Sequence, residues 1–433
     1  MDVRAVFRLI VFFVSAACLG PVSAQTSAHA LHMRFVSHVD MDSGGEGMAM
    51  KIAPGGRRIL YVAHEAPPKC YMVVDVTEPA EPKVIEDTDA PLPNINCNSL
   101  DVSGDIMVVA AESPKEGEPG GGIRVYSLAD PLHPKMVSYF DLTGPYSRGT
   151  HHVWLESPTH AHIASGASDF RAKRANKDDR FYMSVDLSDP AHPKESGRWW
   201  FPGQRENDPE PAPGAIPQGD NSPQNVQPHN IDVFPDHPGR AYIGYVDGGI
   251  VILDIRDIRH PKAISMVTYL SPGYTHTTFP IFSRKLLVVS EEATGDRCSD
   301  GPHRTTIWDI ADEAKPRFLA AAPFATDSAA LCKNGGRYGA HNIYEDKPYG
   351  PTYKSDRYII VSYFSGGVRV FDIADPRRPV EAAYYVPAPS ASFTKGQIQI
   401  NDVFADDRGY VYACDRFNGG LYILQSDLLT PKS

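Results

Sequence analysis

The stretch VILDIRDIRHPK, residues 251–262, joins a strand to a turn. Apart from Asp254, Val251 to Ile255 is apolar and mostly β-branched, which suits a pleated and buried segment. The closing Pro261 donates no N–H, so the ladder stops there and the chain turns. The same phrase recurs along the chain. It reads MVVDVTEPAEPK at 72–83, RVYSLADPLHPK at 124–135, MSVDLSDPAHPK at 183–194, TIWDIADEAKPR at 306–317 and RVFDIADPRRPV at 369–380. A degenerate seventh copy, YILQSDLL, occupies 422–429.

Outward from the phrase a pattern recurs in several copies. A further strand follows the turn, as in KAISMVTYL, and a Gly-Gly turn precedes the phrase at 121–122, 248–249, 366–367 and 419–420. Two more strands stand upstream, as in HNIDVFPDHPGRAYIGYVDGG. Four antiparallel strands per unit, repeated seven times, predict an all-β fold: a seven-bladed β-propeller. No segment sustains a 3.6-residue period, so helix should be scarce. The last copy lacks a fourth strand, and MRFVSHVDM at 33–41 can supply it. Closure by that N-terminal strand would remove two open sheet edges. The propeller is expected to span 33–430.

The phrases VVDV, SVDL, ILDI and VFDI resemble the LVIVD repeat of bacterial and archaeal secreted propeller proteins. The resemblance covers about 33–430. It implies the propeller fold and leaves the activity open, because a fold does not fix a function.

The chain has 433 residues, with 42% hydrophobic and 22% charged residues, enough apolar content for a core. Its net charge of −11 implies no basic face for nucleic acid. Residues 1–24 resemble a secretory signal peptide: Arg4 and Arg8, an apolar run from Leu9, and Val22-Ser23-Ala24 as the cleavage site. Cys18 follows Ser-Ala-Ala and faintly resembles a lipoprotein site, but no Leu stands three residues before it. A periplasmic or secreted location follows, and no later stretch is long enough to span a membrane. Such a compartment permits disulfides. Cys70 and Cys97 sit at one end of neighbouring units, as do Cys298 and Cys332. Both pairs are predicted to be bonded, with Cys414 free.

The innermost strand of each blade lines the central channel, and ligand sites gather where those strands begin. Aligned starts fall at Met48, Asn98, His151, His229, His276, His341 and Asn401. Four consecutive blades thus place His at one slot, and His152 adds a fifth ring. Converging neutral imidazoles suit a divalent transition metal such as Fe, Cu, Mn or Zn. His229, His276 and His341 are the leading ligand candidates, with His151 or His152 next. The ends of the second strands carry Glu65, Glu112 and Glu292, which could orient those rings or move protons. The arrangement is similar to the four axial histidines of carotenoid-cleaving oxygenases, also seven-bladed propellers, although no motif is shared. His160, His162, His237 and His303 are expected at the surface, and the turn residues His133, His192 and His260 have no assigned role. Tyr274, Tyr338, Phe364, Phe393 and Phe417 could wall a substrate, and the Pro/Gly-rich loop 203–228 could be a lid or a plain insertion. Phosphate loops, nucleophile elbows and CxxC motifs are absent from the sequence.

Two readings follow. One is a metal-dependent oxidoreductase or lyase acting on a small organic substrate. The other is a non-catalytic propeller that binds a protein or a glycan.

Overall fold

The computed structural model describes residues 29–174, 178–211, 225–268, 273–325, 327–389 and 393–430. The expected signal peptide lies outside them, and loop 203–228 is described only at its two ends. Seven sheets form a seven-bladed β-propeller. Blades one, two, three and five each hold four consecutive antiparallel strands, beginning at Met48–Ile52, Leu100–Ser103, Thr150–Ser157 and Thr275–Ile281. Blade four begins with a two-residue strand, Ile231–Asp232. In blade six the innermost segment is reduced to a bridge between Ile343 and Val361. One short helix, Ser328–Asn334, enters blade six.

The recurring Asp has a structural reason. Asp75, Asp186, Asp254, Asp309 and Asp372 each accept a hydrogen bond from the backbone N–H two residues on. These Asx turns lead the chain from the third strand of a blade into the fourth. At the other end of the third strand Gly249 and Gly367 take φ of 83° and 73°, left-handed values that favour glycine. A Cβ on Gly249 would sit 2.2 Å from the Val267 carbonyl.

The ring closes as the repeat count requires. Strand Arg34–Val39 is the fourth strand of blade seven, with Val39 opposite Leu421 and Arg34 opposite Gln425. A second pairing was not legible in the repeat. His29–Leu31 adds an outer strand to blade six, opposite Tyr384–Val386. Disulfides join Cys70 to Cys97 and Cys298 to Cys332, and Cys414 is free and buried. Among the described residues no helix is long and apolar enough to cross a membrane.

Candidate metal centre at the start of the inner strands

The slot that lines the channel is defined by backbone bonding. Gly244 N–H donates to Asn230 O, Ser362 N–H to Asn342 O, Ala110 N–H to Ser99 O and Ala63 N–H to Gly47 O. The residue before each of these acceptors occupies the slot: His229, His341, Asn98 and Glu46. Met48 is therefore displaced from its expected place, and blade one presents Glu46. Residues that precede Met48 in sequence show no strand pattern, which is why the alignment slipped by two. In blades three, five and seven the ladder breaks at the slot, with register shifts across His151, across His276 and Thr277, and across Asn401. Such bulges re-aim a side chain without ending the strand.

The Glu46 side chain reaches four blades at once. Its Oε2 lies 3.6 Å from His151 Nε2 and 3.8 Å from His229 Nδ1. Its Oε1 lies 3.7 Å from His276 Nε2 and 3.4 Å from His341 Nε2. The rings follow one another round the channel, with centroids 4.5, 3.8 and 4.3 Å apart from His151 to His341.

Each Nδ1 is tied. His151 Nδ1 donates to Glu112 Oε2 at 2.7 Å and His341 Nδ1 to Asn401 O at 2.6 Å. His276 Nδ1 donates to Thr277 Oγ1 at 3.0 Å and His229 Nδ1 to Asn230 Oδ1 at 3.1 Å. With the protons on Nδ1, His276 and His341 keep lone pairs on Nε2, while His151 Nε2 and His229 Nε2 share a hydrogen bond at 3.0 Å. His276 Nε2, His341 Nε2 and Glu46 Oε2 are buried and have no hydrogen-bond partner. Burial, reinforced by the neighbouring His276, holds His229 neutral. Burial and then His341 do the same for His276. Burial opposes charge on Glu46 as well, but His229, His276, His341 and His151 hold its carboxyl well below the usual range. A bound cation would likewise supply counter-charge to this buried carboxylate. Among the described residues, Glu46–His276–His341, Glu46–His151–His229 and His229–His276–Glu292 each bring their donor atoms within 4.8 Å of one another.

The three expected carboxylates lie round this cluster in different states. Glu112 is buried, yet Arg148 and His151 hold it ionised, far below its usual range. Glu292 is buried too, and His341 and Arg337 keep it lowered. Glu65 differs: burial pushes it up to about 7 against the pull of Arg416. It pairs with Arg416 and accepts from Asn401 Nδ2 at 3.3 Å. Of the aromatic residues, Phe364 stacks on His341 at 4.5 Å and Tyr274 stands 6.2 Å from His229. Tyr338 and Phe364 are buried, so they cap the blades and offer no open wall. Phe364 also holds φ of 45°, a costly value for a bulky residue.

His152 does not join the four rings. It is buried one step deeper, against a cavity of about 30 Å³ shared with Glu345, Lys347 and Asp402. There Lys347 pairs with Asp101 at 2.5 Å, and Asp232 lies beside Glu345. His162 and His303 are not surface residues either. Both are buried, the first bonded to Tyr182 Oη at 2.8 Å and the second beside Asp300 at 3.0 Å.

Fold and site together define a seven-bladed β-propeller with four histidines converging on its axis. Within it, residues 239–268 match the family model of the LVIVD repeat. No curated protein matches the chain. Among solved structures it is similar to the β-propeller domain of Myceliophteria thermophila Cps50 (Swd1), at 12% identity and a TM-score of 0.55, covering 91% of this chain and 99% of that one. It is also similar to the RRP9 WD40 repeats, at 9% identity and a TM-score of 0.54, covering 91% and 97%. At such identities the likeness speaks for the fold alone.

Proposed function

We propose that the protein is a metal-dependent enzyme of the periplasm or cell exterior, an oxidoreductase or lyase that acts on a small organic molecule. The observation that carries the reading is the common orientation of four imidazoles. Every Nδ1 stands within hydrogen-bonding distance of a protein oxygen, and Nε2 of His276 and of His341 is buried without a hydrogen-bond partner. Ligating histidines are oriented in this manner by the partner of the other nitrogen. His151, His229, His276, His341 and Glu46 would hold a divalent transition metal, which supplies Lewis acidity or activates water or dioxygen. Glu65, pushed up to about 7 by burial, is suited to transfer a proton, whereas ionised Glu112 fixes the His151 ring and lowered Glu292 stands 3.8 Å from His341 Nε2. Two disulfides fit an oxidising compartment.

One observation favours a binding propeller instead. At the far ends of the inner strands lies a groove of about 880 Å³, lined by Phe234, Phe282, His237, Lys354 and their neighbours. It holds no converging ligand set, but its size suits a protein or glycan segment.

The test is metal content. Untagged protein incubated with Fe(II), Cu(II), Mn(II) or Zn(II) and then desalted should retain one of them. The double variant His151→Ala/His276→Ala should retain none while keeping its β-rich circular dichroism. Wild-type protein that holds no metal under any condition overturns the enzyme reading, and the groove then becomes the functional surface.

A further inference from the structure

We infer that the centre holds two metal ions bridged by Glu46. This rests on the metal-binding reading above and specifies its nuclearity. The two carboxylate oxygens address different pairs of imidazoles. Oε1 faces Nε2 of His276 and of His341, and Oε2 faces Nε2 of His151 and Nδ1 of His229. Donors on one ion with bonds of about 2.0–2.1 Å sit roughly 3.3 Å apart in a tetrahedral site. The contacts from Glu46 are 3.4 and 3.7 Å on one side and 3.6 and 3.8 Å on the other, the last to His229 Nδ1, and His151 Nε2 stands 3.0 Å from His229 Nε2; all lie near that spacing.

A single ion shared by all four rings fits less well. Among the described residues, each compact set contains two imidazoles and one carboxylate, and none contains three imidazoles. A four-histidine ion would have to draw the rings together, but hydrogen bonds from each Nδ1 hold them where they are. Two ions joined through one carboxylate stand about 3.5–4 Å apart in two-metal sites. That separation matches two pockets placed at either end of one carboxylate.

Of the outer carboxylates, Glu112 bonds His151 on one side, whereas Glu292 lies 3.8 Å from His341 and within 4.8 Å of donor atoms of His229 and His276, so it borders both pockets. Four neutral rings and one bridging carboxylate leave two divalent ions with an excess of positive charge. Arg180 adds to it, buried beside Glu112 with one guanidinium nitrogen lacking a hydrogen-bond partner. The ligand class that completes the centre is therefore anionic: a hydroxide from water, or a substrate that binds through an oxyanion.

Manganese provides the probe. Calorimetric titration of untagged full-length protein with Mn(II) should saturate at two equivalents. The loaded protein should show the exchange-coupled multiline signal of a dimanganese pair by electron paramagnetic resonance. His276→Ala and His151→Ala should each keep one equivalent and lose the coupling. Glu46→Gln, with a carboxamide that cannot bridge, should also lose it. The wild-type stoichiometry stands as a test even where a variant fails to fold. Saturation at one equivalent with only a mononuclear signal overturns the two-ion inference and leaves the metal reading intact. No binding of manganese or of any other ion tried overturns both.

Discussion

Glu46 Oε1, on the first blade, lies 3.4 Å from Nε2 of His341, on the sixth. Both side chains are buried; Glu46 Oε1 also stands 3.7 Å from His276 Nε2, and His341 Nε2 stands 3.8 Å from Glu292 Oε1. The propeller ring itself creates this contact, because equivalent positions on separate blades all face one axis. Several measurable consequences follow from that geometry.

Glu112 should matter to the metal without binding it. Its carboxylate accepts a hydrogen bond from His151 Nδ1 at 2.7 Å and so presents Nε2 to the ion. Glu112→Gln should weaken metal affinity by about 10–100-fold, the usual effect of an orienting partner. His192→Ala, in an exposed turn, should change nothing and serves as the control. Equal affinities for Glu112→Gln and wild type would remove the carboxylate from the site.

The disulfides should stabilise the two ends of the ring independently. They close loops of 27 and 34 residues. Chain entropy assigns each about 3.5–4 kcal/mol. Cys70→Ser/Cys97→Ser should lower the denaturation midpoint accordingly, and the Cys298→Ser/Cys332→Ser loss should add to it. Peptide mapping without reduction should find both pairs and a free Cys414; a mixed pairing would contradict the structure.

Closure by the N-terminal strand should be costly to remove. A chain starting at Asp42 lacks Arg34–Val39 and leaves Leu421–Gln425 as an open edge. Open edges recruit other chains. The truncated protein should melt roughly 5 °C or more below the parent and elute as aggregates. A monomer with unchanged melting would show that the seventh blade is stable with three strands.

One acidic group should reverse the usual effect of pH. Burial raises Asp346 to about 6, against the pull of Lys354. Its folded value lies above the unfolded one near 3.9, so the folded state binds more protons between about pH 4 and 6. The contribution of Asp346 is therefore most favourable below about pH 4 and is lost as pH rises through 6. Asp346→Asn should flatten that part of the stability profile. It should gain on the order of 1 kcal/mol at pH 7, discounted for the quarter of the side chain that reaches solvent. Urea denaturation at pH 4 and pH 7 measures the difference, and an unaltered pH slope in the variant would refute it.

Much of the architecture was open to reading from the chain alone. The repeat phrase is local: its strand, its Asx turn and its prolines lie within a dozen residues, so their chemistry announces blade count and strand order. Ring closure followed because a count of seven left one strand missing at one end and one spare at the other. The disulfides were legible for the same reason, as each pair stands at matching places on adjacent units. The four slot histidines, His151, His229, His276 and His341, were visible as a repeated column.

Only the tertiary structure decided what those residues do to one another. Glu46 sits in a Gly-rich segment without strand periodicity, and its place in the slot appears only when Ala63 N–H bonds to Gly47 O. His151 and His152 are equivalent on paper. A bulge between Thr150 and His152 turns the first toward Glu46, while the second is buried deeper against Lys347 and Glu345. Side-chain direction on a strand depends on ladder register, and register at a bulge is set by the neighbouring strand. The charge states of Glu65, Glu112 and Glu292 likewise depend on which arginine each meets across a blade boundary. Local sequence specifies a blade; the approach of seven blades to one axis specifies the site.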